Sequence, residues 1–157
     1  MKTLVVDFSR VLIFPTADGV DSLNSLNSLN RLHRELSLAP GYNIFDHFTL
    51  NDELLEYLKQ LKNDVYVFTD GKLHELPEIS LHLTDIFKDI YSVEALAVDK
   101  RQPDAYITLA HHMGTSPSGI VFVDDKYVNI EAAKRAGIHG IQYTSNDVLI
   151  EELSTLL

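Results

Sequence analysis

The chain has 157 residues, of which 45% are apolar and 23% charged, and it contains no cysteine. That is about the length of one domain with an ordinary globular core, and it excludes disulfides, thiolate metal centres and a cysteine nucleophile. A formal net charge of −10 without a long basic run argues against a nucleic-acid partner, because contacts along a phosphate backbone need clustered Lys and Arg.

The first apolar run, Leu4 to Val6, stops at Asp7. It is too short for a signal-peptide core or a membrane span, so it reads as a buried strand. A cytoplasmic location with no membrane partner is expected. Residues 13–49 give no strand signal. They repeat Ser-Leu-Asn from Ser22 to Asn30, with Leu23, Leu26, Leu29 and Leu32 three residues apart. This spacing predicts a helix reaching Leu36, either packed on the body or forming a reduced cap over a site. A second helix is expected over Leu50 to Lys62, capped by Asn51 or Asp52. Val65 to Phe68 reads as a strand ending in Thr69, and Ile120 to Val123 as one ending in Asp124. Between them lies a helix from Pro103 to Met113, stopped by Gly114. After them come a helix from Tyr127 to Ala136, stopped by Gly137, a strand from Ile138 to Tyr143, and a helix from Ser145 to Leu157. The strands are apolar without alternation, as strands buried on both faces are. Strands alternating with helices predict an α/β fold, a doubly wound parallel sheet in a single domain over residues 1–157, with a small helical insert over 13–49.

Ligands of such sheets bind beyond the carboxyl ends of the strands. Asp7, Thr69 and the pair Asp124-Asp125 are therefore expected to meet. Converging carboxylates favour a divalent cation with oxygen ligands, above all Mg2+. The hydroxyl and amides of Thr69-Asp70-Gly71 suit an anion, and Lys100 offers a neutralising charge. Carboxylate, metal, hydroxyl and lysine are the parts of phosphoryl transfer through an aspartyl intermediate. Each residue also has a plainer reading: Asp124 or Asp125 as a helix cap, Thr69 as a turn residue, Lys100 as a solvated charge. His111 and His112 are adjacent on a helix and face different ways, so they do not read as a metal pair.

Four segments in order resemble the haloacid dehalogenase-like (HAD) superfamily. They are Leu4-Val5-Val6-Asp7-Phe8-Ser9, Val65-Tyr66-Val67-Phe68-Thr69-Asp70-Gly71, Lys100 ahead of Pro103-Asp104-Ala105-Tyr106, and Val123-Asp124-Asp125 with Asn129, Ala132-Ala133 and Ala136-Gly137. The resemblance covers nearly the whole chain except 13–49. It implies Asp7 as nucleophile, the Ser9 carbonyl and Asp125 as metal ligands with Asp124 close by, and Asn129 in support. It further implies Thr69 and the Asp70 amide on phosphate oxygens and Lys100 as charge partner. The substrate implied is a small phosphorylated molecule or a phosphorylated macromolecule.

The pattern breaks where the family carries a second aspartate that protonates the leaving group. Here that position is Ser9, whose hydroxyl is far too weak an acid for the task. Arg10 stands in place of a glycine, beside the substrate phosphate, and Lys126 follows the acid pair. Three classes remain: a magnesium-dependent phosphatase with weakened acid catalysis; a catalytically impaired relative that binds a metal, a phosphorylated ligand or a protein; and a dehalogenase, for which residues 13–49 look short as a cap. A receiver-domain reading fails because those domains place their acid pair after the first strand.

Overall fold

The computed structural model describes residues 2–16 and 28–157. A five-stranded sheet forms the centre, with strands β1 (Thr3–Val6), β4 (Val65–Thr69), β5 (Asp89–Ser92), β6 (Ile120–Asp124) and β7 (His139–Gln142). Their order is β5-β4-β1-β6-β7, and every neighbouring pair is parallel. The chain winds outward from β1 through β4 to β5, then returns to the other side of β1 for β6 and β7. The reversal at β1 is the topological switch point, where such sheets open a crevice beyond their carboxyl ends.

Side chains alternate across the sheet, and both faces are covered. On one face Leu4, Val6, Val67 and Val123 pack with Leu54, Leu58, Leu149 and Leu153. These last four belong to α2 (Asp52–Gln60) and α7 (Asn146–Leu156). On the other face Val5, Phe68 and Phe122 pack with Tyr106, Leu109, Ala132 and Ala133, from α5 (Pro103–His112) and α6 (Tyr127–Arg135). Double coverage is the physical reason the strand sequences carry no polar alternation.

Local chemistry sets the helix ends. Asn51 caps α2 by accepting the Leu54 amide at 3.3 Å, and Ser145 caps α7 through the Val148 amide at 3.4 Å. Gly114 and Gly137 follow α5 and α6 at φ +65 and +88, a left-handed step that only glycine takes without strain. Among the described residues no helix is long and apolar enough to cross a membrane.

The segment after β1 differs from its sequence expectation. Two short strands, β2 (Ile13–Pro15) and β3 (Phe48–Leu50), pair antiparallel as a ribbon beside the sheet. Three residues are too few to show a period, and proline is confined to sheet edges, so neither strand stood out. The predicted helix is present as α1 (Leu29–Leu36); its expected beginning at Ser22 lies outside the described residues. Phe48 is buried in the core and Phe45 is 41% exposed. Two further short helices, α3 (Pro77–Leu83) and α4 (Val93–Leu96), flank β5.

Candidate active site

The three central strands deliver the polar residues. Asp7 directly follows β1, and its amide donates to Val123 of β6 at 2.8 Å, holding the carboxylate at the switch point. Asp124 ends β6 and Asp125 follows it. The carboxylates of Asp7, Asp124 and Asp125 each offer an oxygen within 4.8 Å of the others.

Lys100 lies among them. Its ammonium sits 2.8 Å from Asp7 Oδ1 and 2.8 Å from Asp124 Oδ2, and donates to the Phe68 carbonyl at 2.9 Å. Its three protons are thus all used. The rings of Phe68 and Phe122 flank it at 5.2 and 5.3 Å, which favours a cation. Tyr106 ties down its backbone by donating to the Lys100 carbonyl at 2.9 Å. Lys100 is 1% exposed, so the surface-charge reading does not hold. Burial alone depresses such an ammonium, but Asp7, Asp124 and Asp70 overcome this and hold it above its ordinary value.

The two neighbouring acids differ. Asp124 is fully committed: it also accepts from Asn129 Nδ2 at 3.0 Å and from the Lys126 amide at 2.8 Å. Asp125 keeps one buried oxygen, Oδ1, with no hydrogen-bond partner. Burial and then Asp124 push the Asp125 carboxyl up, with Lys126 and Arg10 pulling against them. Neither acid caps α6; the cap position is Lys126, with no side-chain bond.

Burial pushes the Asp7 carboxyl up to about 7, against the pull of Lys100 and with Asp124 adding to the rise. Three carboxylates share one buried ammonium, with Lys126 and Arg10 acting on Asp125 from outside the cluster. The converging carboxylates and the orphaned Asp125 oxygen fit a hard divalent cation, whose ligands are oxygens. Ser9 stands two residues after Asp7. The bridge from Ser9 to Ile13 is carried by the Phe8 carbonyl and the Arg10 amide, so it does not occupy the Ser9 carbonyl.

The anion side is built by the loop after β4. Thr69 is buried, and its Oγ1 accepts the Gly71 amide at 3.2 Å; it is a turn residue and a strand-end hydroxyl at once. Asp70 lies 3.7 Å from the half-exposed Lys126 ammonium, so Lys126 bridges toward the loop. A cleft of about 690 Å3 opens beside the loop, lined by Asn30, His33, Arg34, Asp70, Gly71 and Lys72.

Arg10 has φ 61, a left-handed backbone in a residue with a Cβ, which is strained. Arg10→Gly is expected to stabilise the fold by roughly 0.5–1 kcal/mol, measured by urea denaturation; a loss of stability would show that the guanidinium contributes more than the strain costs.

Sequence reasoning missed the Phe68 carbonyl and the Phe122 ring around Lys100. Neither has a polar side chain to advertise a role. The aromatic at Tyr106 was a visible signal, in step with Pro103.

The fold and site together are a parallel α/β sheet with acids at the ends of its central strands and a buried lysine beside them. The family model for haloacid dehalogenase-like hydrolase matches residues 22–137, and the chain belongs to that family. It is 26% identical over 120 residues to flavin mononucleotide hydrolase 1 of Arabidopsis thaliana, covering 76% of this chain and 48% of that protein. It is 28% identical over 98 residues to enolase-phosphatase E1 of Klebsiella pneumoniae, covering 59% of this chain and 42% of that one. The chain spans about half the length of the curated relatives it matches. A HAD family enzyme of Bacteroides thetaiotaomicron, solved with magnesium and inorganic phosphate, superposes with TM-score 0.67 at 17% identity, over 93% of this chain and 96% of that one. A predicted HAD-like hydrolase of Porphyromonas gingivalis gives TM-score 0.67 at 18% identity, over 99% and 97%. Both share the fold.

Proposed function

We propose that this chain is a magnesium-dependent phosphatase acting on phosphomonoesters through Asp7, with weakened protonation of the leaving group. The observation that carries the reading is the cluster of Asp7, Asp124 and Asp125, the first two joined by the buried Lys100 and the third left with an unpartnered oxygen. Asp7, Asp125 and the Ser9 carbonyl would hold Mg2+, with Asp124 behind them. The ion would supply charge for the phosphoryl oxygens. Small phosphorylated substrates are supported by the names of the relatives, a flavin mononucleotide hydrolase and an enolase-phosphatase, and Mg2+ by the magnesium and phosphate bound to the Bacteroides enzyme.

The chain's own residues then act in order. Thr69 and the Asp70 amide hold phosphate oxygens. Asp7 attacks phosphorus, and the bond to the leaving oxygen breaks as the aspartyl phosphate forms. Lys100 pulls Asp7 toward its ionised form against the effect of burial and holds it in place. Water then attacks phosphorus, the bond from phosphorus to the Asp7 oxygen breaks, and inorganic phosphate leaves with the water's proton passing to solvent, freeing Asp7. Ser9 cannot protonate the leaving oxygen, so esters with good leaving groups react best.

Hydrolysis of para-nitrophenyl phosphate with magnesium tests this directly. Activity in the wild type that vanishes in Asp7→Asn is the expected result. No activity in the wild type sinks the phosphatase reading. It would favour the second reading, a site that binds metal and phosphate without turnover, to which Ser9 points.

A further inference from the structure

Helix α1 of the insert meets the loop after β4 through one side chain. Asn30, in its first turn, lies over Gly71 so closely that a Cβ there would collide with the Asn30 amide group. The same side chain accepts the Lys72 amide through Oδ1 at 3.0 Å. Thr69 Oγ1 already accepts the Gly71 amide at 3.2 Å. Two successive loop amides are therefore held, one by the sheet and one by the insert. The contact is anchored on both sides, since Leu29 and Leu73 are each 2% exposed in the same core. Gly71 is required here for close approach rather than for its backbone angles.

We propose that Asn30 is a positioning residue for phosphate capture: from the insert, it fixes the loop Asp70-Gly71-Lys72 in the one conformation that binds the anion. This rests on the phosphatase reading, which makes the anion the substrate's phosphate. The physical ground is entropic. A loop that must be ordered when its ligand arrives loses affinity, and fixing one residue's backbone is worth about tenfold in an equilibrium constant. Asn30 orders this loop beforehand. It also sets the wall of the cleft beside the loop, since His33 and Arg34 follow it on α1.

Calorimetric titration of inorganic phosphate in saturating magnesium, and of magnesium alone, tests the proposal on the full chain. Asn30→Ala is expected to raise the phosphate Kd about tenfold and to leave the magnesium Kd within about twofold. Gly71→Ala, which evicts the Asn30 side chain, is expected to weaken phosphate binding in the wild type and to do so much less in the Asn30→Ala background, because the two residues act as one unit. A phosphate Kd unchanged in Asn30→Ala, additive effects of the two substitutions, or magnesium and phosphate affinities falling together would each overturn it, the last by showing general structural damage. Wild type that binds no phosphate would sink the phosphatase reading and this one together; wild type and Asn30→Ala binding phosphate alike would sink this one alone.

Discussion

Lys100→Met is expected to cost roughly 3–5 kcal/mol of folding stability, the usual penalty for removing one partner from a buried charge cluster. The variant would leave Asp7 and Asp124, which are 2% and 0% exposed, facing each other without a cation. A domain has only about 5–15 kcal/mol in total, so the variant sits near the edge of folding. The loss carries a pH signature. In the metal-free protein the Asp7 carboxyl is pushed up to about 7 by burial, whereas an unfolded aspartate titrates near 3.9. A carboxyl raised by folding stabilises the fold while protonated. Its contribution is complete below about pH 4 and is lost as pH rises through about 7. Lys100 supplies the downward pull on Asp7, so without it Asp7 rises further. Urea denaturation should therefore show a larger loss at pH 8 than at pH 5, and magnesium should restore part of it at pH 8. Equal losses at both pH values would contradict a site governed by charge.

Ser9→Asp is expected to raise the rate on phosphate esters with poor leaving groups by about 10²–10⁴, the usual contribution of a positioned general acid. The substitution is compatible with the local backbone. The bridge beside Ser9 uses the Phe8 carbonyl and the Arg10 amide, and the side chain is only half-buried. The Ser9 carbonyl, the atom proposed to face the metal, is unchanged by the mutation. Steady-state kinetics on an alkyl phosphate with magnesium reads the effect. No gain would show that leaving-group protonation is not what the wild type lacks.

Much of the frame was legible in the sequence because the central strands are buried on both faces. β1, β4 and β6 carry apolar runs that stop abruptly at a polar residue: Asp7 just after β1, Thr69 at the end of β4 and Asp124 at the end of β6. β5 was not legible: it is an edge strand, partly exposed, beginning at Asp89 and ending at Ser92, so it lacks an apolar signature. β2 and β3 were lost to their brevity. The site was legible as an ordered set of motifs, but not its electrostatics. Lys100 lies between the charged and more exposed Asp99 and Arg101, and nothing local shows that its side chain turns into the core. Asp124 has both oxygens engaged, by the nearby Lys126 amide and Asn129 and by Lys100 from a distant segment, whereas Asp125 keeps one open, and this difference is not visible locally. The contact of Asn30 with Gly71 joins residues far apart in sequence, and no periodicity reports it. Arg10 shows the reverse case. Its departure from glycine was visible, but its left-handed backbone was not.

Asp7 chemistry with magnesium is proposed to persist here while leaving-group protonation is lost. The most direct test is the ratio of kcat/KM for para-nitrophenyl phosphate to that for an alkyl phosphate, in wild type and in Ser9→Asp. A good leaving group needs little protonation and a poor one needs much. The ratio in the wild type is expected to be at least about 10²-fold larger than in Ser9→Asp, with both activities abolished by Asp7→Asn. A wild-type ratio as small as that of Ser9→Asp would contradict it, because some group other than residue 9 would then be protonating the leaving oxygen.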